Sequence, residues 1–355
     1  MRIAASVGLV LLSAQVASAD IVRAPQAWRV DPAPFRQADG NKNKANEELS
    51  GAACATGTNR CLVVNDEGRF AQFFEINGTT IAPKEVIGLL PPKIGGKTMK
   101  ELDAEAADYV APRAGAVGAS GYFYVTGSHG ASRKGKAQPS RSFVLRFPVD
   151  PATGHPTFAF DAEDAAPQIE RSAALRAALA KLPEVGSFAE RRLDENGVTV
   201  EGFAVLGQEA LFGLRGPCIA GHAFVVRTPL EAVFSGAPVT ATTSRLALGD
   251  NVGIRDLARV QGGVLVLSGR SNDTRDQAAF NCEKPGVAPE PGAQVWFWSG
   301  KDGDAARNLG TLPGLPATHK AETLLVLGED AARYRVLVWF DGVPDGDPTE
   351  FFIGK

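Results

Sequence analysis

Thr199-Val-Glu-Gly-Phe-Ala-Val-Leu206, a short turn, and Ala210-Leu-Phe-Gly-Leu-Arg215 form a pair of apolar runs that decides the fold, because the pair recurs. Its first member has counterparts at Glu48-Leu-Ser-Gly-Ala-Ala-Cys54, Asp103-Ala-Glu-Ala-Ala-Asp-Tyr-Val110, Gly253-Ile-Arg-Asp-Leu-Ala-Arg-Val260 and Lys320-Ala-Glu-Thr-Leu-Leu-Val-Leu327. The second member recurs at 61–66, 122–127, 264–269 and 334–341. Runs of this length, rich in β-branched and aromatic residues and bounded by turn residues, read as buried strands. Third strands are expected at 70–76, 142–149, 222–228, 294–299 and 350–353, and weaker fourth strands at 81–89, 157–160, 240–248 and 306–312. The fifth unit lacks a fourth run, and the spare apolar stretch Ile21–Val30 can supply it and close a ring. Four-stranded units repeated without intervening helices predict an all-β chain folded as a β-propeller of five blades, with six as the alternative count.

One segment breaks the rhythm. Between 161 and 195, Gln168–Leu182 carries Leu175, Leu179 and Leu182 on one helical face before Pro183, which predicts an amphipathic helix in an insertion.

The wider composition fits this reading. Thirty-nine Gly and 23 Pro among 355 residues supply the turns. With 37 basic against 40 acidic side chains, net −3, no overall positive field attracts nucleic acid or an anionic membrane. Arg2, the apolar run Ile3–Leu12 and Ala17-Ser18-Ala19 read as a signal peptide over 1–19. That predicts a periplasmic or secreted single domain over 20–355, monomeric and without a membrane span. Export favours cystines. Cys54 and Cys61 bracket a hairpin and are expected to pair, leaving Cys218 with Cys282 in equivalent loops of adjacent units. A zinc site is disfavoured by the absence of a C-x-x-C pair and by only four His.

Gly213-Leu-Arg-Gly-Pro217, Gly253-Ile-Arg-Asp-Leu257, Gly127-Ser-His-Gly130 and Glu201-Gly202 resemble the signatures of a bacterial family of exported propellers known only as a domain of unknown function. The likeness spans roughly 47–355, with a fainter similarity to the "esterase-like activity of phytase" propellers. It departs where Glu105 is followed by Ala106 and Glu322 by Thr323. The resemblance implies fold and compartment and hints at phosphoester chemistry.

Propeller connectivity brings the start of each inner strand and the end of each second strand to one face, beside the central channel. Ser50, Glu105, Glu201, Arg255, Glu322, Asp66, His129, Arg215, Arg270 and Asp341 should therefore meet at one mouth. Nine of these ten ionise, in a chain only 22% charged, which marks the mouth as the candidate site. Three roles follow. His129 titrates near neutrality and, with Glu201 and Arg215, is the expected catalytic set. Arg255, Arg270, Glu105 and Asp341 would hold a small anionic ligand. Glu201, Glu322 and Asp66 would ligate a divalent cation, calcium being the best match to oxygen donors. The expected function is metal-assisted hydrolysis of a small anionic ester, phosphoester or lactone. The alternative is a non-catalytic propeller that binds a ligand or protein partner, its charges paired as bolts between blades.

Overall fold

The apolar runs become strands because each can bury both faces between neighbouring sheets. The computed structural model describes residues 20–36, 44–116, 118–271, 292–316 and 318–355. Blade one comprises Leu49–Cys54, Arg60–Asn65, Phe70–Asn77 and Thr80–Gly88 from the channel outward. The corresponding strands are Ala104–Val110, Gly121–Gly127, Val144–Val149 and Glu170–Ser172 in blade two, and Thr199–Leu206, Glu209–Gly216, His222–Pro229 and Thr242–Ala247 in blade three. Blade four has Val252–Val260, Gly263–Arg270, Gln294–Trp298 and Arg307–Thr311. Blade five has Lys320–Glu329, Arg333–Asp341 and Thr349–Gly354, with Ile21–Arg23 outermost. Each inner strand packs against the inner strands of its two neighbours, and the fifth returns to the first, so the ring closes at five blades.

A separate apolar wedge fills every blade interface. Phe73, Phe123 and Phe147 lie between blades one and two, Phe203 and Phe212 between two and three, and Trp339 and Phe74 between five and one. Truncating a fully buried member such as Phe203 to Ala would cost about 3–5 kcal/mol.

Three local expectations are corrected. Ile21–Val30 is not one closing strand: Ile21–Arg23 pairs antiparallel with blade five, whereas Arg29–Val30 lies parallel to Thr80–Gly88 of blade one. Pro25, which has no N–H to donate, falls between the two pieces, and the segment straps both blades. Blade two takes its outer strand from Glu170–Ser172 rather than from 157–160. Phe158 and Phe160 instead turn their rings onto Phe147 and Phe73 in the first wedge, where they are better buried than at a sheet edge. The insertion's helix is correspondingly short, Ala174–Leu179, although Leu175, Leu179 and Leu182 face the core.

Cys54 and Cys61 lie directly opposite each other and are bonded. Cys218 is disulfide-bonded, and its expected partner Cys282 lies outside the described residues, as does the expected signal peptide. Among the described residues no helix is long and apolar enough to cross a membrane.

Candidate functional site

Each inner strand enters the channel face through a β-bulge, and the residue left unpaired is the ring residue. In the pairing of inner with second strands the register skips Ser50, Glu105, Glu201, Arg255 and Glu322 in turn. A bulge frees one residue from the ladder and re-aims its side chain, here toward the channel five times over. Arg215 is skipped in the same way on the second strand of blade three. The residue after the bulge faces the next blade at close range. A Cβ on Gly51 would lie 2.6 Å from the Ala106 Cα, and one on Gly202 would lie 2.8 Å from the Leu257 side chain and 3.1 Å from the Asp256 carbonyl carbon.

The five ring positions split into two arcs. On blades three to five the charges are matched. Arg215 Nη1 is 2.9 Å from Glu201 Oε1, Arg255 Nε is 3.1 Å from Glu201 Oε2, and the other side of the Arg255 guanidinium pairs with Glu322. All four side chains are buried, and Arg215 also donates to the Ser271 carbonyl at 3.1 Å. From the second strand of blade five through blades one and two, carboxyls predominate. Burial, reinforced by the charges of Asp103, Glu48, Glu67 and Asp341, pushes Asp66 up to about 9. Glu48 is raised to about 8 by its hydrogen bond to Asp341 and then by burial. Burial works against ionisation of Asp341, but that bond and Lys320, 3.2 Å away, outweigh it and hold Asp341 below the ordinary range. Asp103 is raised to about 6 by burial, opposed by Arg141 at 3.0 Å. Glu105 is held well above the carboxylate range by burial and then by the charges of Glu201, Asp103 and Asp66. Partly exposed, it makes no hydrogen bond or ion pair with any described residue.

The opposite end of the channel is bridged. Arg259 of blade four donates to the Val205 carbonyl at 3.1 Å and to the Tyr109 carbonyl at 2.7 Å, so its guanidinium lies across the far ends of the inner strands of blades three and two.

Of the residues named from sequence, Glu105, Glu201, Arg215, Arg255 and Glu322 come within reach of one another's charge, with Asp66 and Asp341 beside them, and their expected roles change. His129 is fully buried at the end of blade two, with a left-handed φ of 54°, and neither ring nitrogen has a hydrogen-bond partner. Burial, with the nearby Arg176 charge, lowers it to about 3, so it stays neutral where a proton carrier would have to titrate. Arg270 ends the second strand of blade four, opposite Val252, and is partly buried. The proposed cation ligands do not converge: Glu201 and Glu322 each turn an oxygen to Arg255, so a guanidinium occupies the place a cation would need. Among the described residues no three Asp, Glu, His or Cys side chains are arranged to hold a metal. The donor set does not fit a resident divalent ion.

Sequence reading missed Asp103 as a site residue, and it missed two carboxyls that staple neighbouring inner strands. Asp108 accepts from the Val205 N–H at 2.8 Å, and Asp256 from the Leu324 N–H at 2.8 Å, linking blades two to three and four to five. An Asp three residues after Glu105, and one directly after Arg255, within a buried inner strand is the available signal.

A protein family described as being of unknown function, DUF3616, matches residues 134–347, more than half of the chain. The chain belongs to this family. The DUF3616 match includes Glu201, Arg215, Arg255 and Glu322 of the paired arc, whereas Asp66, Asp103 and Glu105 precede it. No curated protein matches the sequence. Among solved structures, the chain is similar to an exo-β-1,3-galactanase from Phanerochaete chrysosporium, at 11% identity and a TM-score of 0.45, covering 94% of this chain and 64% of that one. It is also similar to an α-L-arabinofuranosidase from Podospora anserina, at 10% and 0.45, covering 93% and 97%. A third is the periplasmic gluconolactonase of Pseudomonas aeruginosa, at 15% and 0.35, covering 82% and 65%. The chain spans about three-fifths of the galactanase's length.

Proposed function

We propose that this DUF3616 protein is an exported hydrolase that opens a small uncharged ester or lactone at the channel mouth by acid–base catalysis between two carboxyls. The observation that carries this reading is Glu105: delivered into the channel by a bulge, without a partner of its own, and with its charged form disfavoured by burial and by the neighbouring carboxylates. Asp103, two residues earlier and raised only to about 6, is ionised at neutral pH. Neighbouring carboxyls whose environments drive their proton affinities apart are suited to divide acid and base roles. Asp103 takes a proton from water as the water oxygen attacks the carbonyl carbon, and Glu105 gives its proton to the departing alkoxide. Proton transfer from Asp103 back to Glu105 resets the pair. The paired arc supports this chemistry at one remove, because the Glu201 charge, fixed by Arg215 and Arg255, helps keep the proton on Glu105.

An uncharged substrate replaces the anionic one expected from sequence. Arg141, Arg215, Arg255 and Lys320 are each ion-paired, and an approaching anion would meet Asp103 and Asp341. Export is supported by the Cys54–Cys61 bond, which persists in oxidising compartments. The second reading, a structural charge ring on a ligand- or protein-binding propeller, is favoured by the complete pairing of Glu201, Arg215, Arg255 and Glu322.

The test is turnover of p-nitrophenyl acetate and δ-valerolactone against p-nitrophenyl phosphate. The proposal expects hydrolysis of the neutral substrates, lost in Glu105→Gln and Asp103→Asn. Phosphate cleavage alone, or neutral turnover indifferent to both variants, overturns it.

A further inference from the structure

Away from the channel, on the same face of the disc, a cavity of about 480 Å³ lies between the insertion and the outer half of blade three. Pro183 and Glu184 of the insertion form one wall; Ile219, Ala220, His222, Phe224 and Arg245 form the other. These walls come from distant parts of the chain and are locked together. The buried Asn196 side chain at the end of the insertion donates to the Cys218 carbonyl and accepts from the Cys218 N–H, both at 2.9 Å. Thr243 Oγ1 donates to Glu184 Oε2 at 2.7 Å.

The blade-side wall is equally fixed. Ile219 and His222 exchange backbone hydrogen bonds of 3.0 Å around Ala220 and Gly221, whose φ values of 49° and 74° define a tight hairpin turn. Ala220 is a non-glycine residue in the left-handed region, a conformation that costs energy and tends to persist where the surroundings demand it. His222 Nδ1 lies 2.8 Å from the Ala220 carbonyl, which sets the ring's orientation. Two rigid walls that are bonded at their edges and leave a gap between them are what a preformed small-molecule site requires.

The lining gives the ligand's chemistry. Pro183, Ile219 and Phe224 offer an apolar floor. At the rim stand a carboxylate and a guanidinium, Glu184 and Arg245, paired at 3.5 Å, with the Arg245 side chain 62% exposed. We infer that this cavity is a second ligand site, taking a free amino acid with an apolar side chain: Arg245 receives the carboxylate, Glu184 the ammonium, and the floor the side chain. The inference is independent of the channel chemistry.

Titration calorimetry of the folded chain with L-phenylalanine, N-acetyl-L-phenylalanine and L-phenylalaninamide tests it. Phenylalanine should bind saturably, with each blocked derivative at least about tenfold weaker. Arg245→Ala should reduce phenylalanine to the level of the amide, and Glu184→Gln to the level of the N-acetyl compound. Both substitutions are at partly or largely exposed side chains, and circular dichroism confirms that each variant is folded. Absence of saturable binding, equal binding of all three compounds, or phenylalanine binding unaffected by both substitutions overturns the proposal.

Discussion

The two arcs of the channel mouth are made at the same strand ends by the same device, a bulge on each inner strand, yet they handle charge in opposite ways. The arc from Glu201 to Glu322 sets guanidiniums between carboxylates and neutralises itself. The arc through Glu48, Asp66 and Glu105 has too few cations for its carboxyls, and their proton affinities rise instead. The first arrangement ties blades together through ion pairs; the second disfavours the charged forms of its carboxyls. The difference comes from which residue each bulge presents. Ser50 and Glu105 occupy adjacent blades without an arginine between them, whereas Arg255 stands between Glu201 and Glu322.

Breaking the paired arc should have the largest effect. Arg255→Met leaves two buried carboxylates without their shared partner and should destabilise by about 3–5 kcal/mol in denaturant unfolding. Replacement within 1 kcal/mol of the parent would mean that the arc is not a bolt. On the other arc, Glu105→Gln should preserve stability near neutral pH, because burial and the neighbouring carboxylates disfavour the charged form of the native side chain. Turnover of neutral esters should fall on the order of 10²–10⁴-fold. Equal losses of stability in the two variants would erase the contrast.

A pH series sharpens the comparison without mutation. Glu48 and Asp66 bind protons in the folded chain up to about 8 and about 9, but release them in the ordinary carboxylate range when unfolded. The folded state therefore holds the extra protons, and stability falls as pH rises through that window. Thermal midpoints should drop between pH 5 and pH 9, and Asp66→Asn should flatten the decline. His129 acts at the other limb: neutral when buried and lowered to about 3, it costs stability as pH falls below the ordinary histidine range. The smallest effect is steric. Gly202→Ala crowds Leu257 and the Asp256 backbone across the blade interface and should cost about 1–3 kcal/mol by calorimetric unfolding, with ester turnover little changed.

Much of this architecture is legible in the sequence, because the period of the apolar runs and the polarity of propeller strands together place Ser50, Glu105, Glu201, Arg255 and Glu322 at one mouth. The bulges are not legible directly. Their trace is the small residue after the ring position, as in Glu201-Gly202 and Ser50-Gly51, where the next blade leaves no room for a Cβ. The role of His129 is not legible because residue type gives an ordinary proton affinity, whereas burial and then the Arg176 charge lower it. Phe158 and Phe160 read as a strand because apolar content alone cannot distinguish an edge strand from a plug between two sheets. Asp103 is not legible as a site residue because its proton affinity is set by burial and by Arg141, which reaches it from the short 3-10 turn Pro139–Ser142.

The protonation of Glu105 is the point on which both arcs and the proposed chemistry turn. Carbon-13 NMR of protein labelled at glutamate carboxyls, compared with Glu105→Gln to assign the missing resonance, measures it directly. One glutamate resonance, absent from the variant, should remain at the protonated position at pH 7. A Glu105 resonance that titrates in the ordinary carboxylate range would contradict the account.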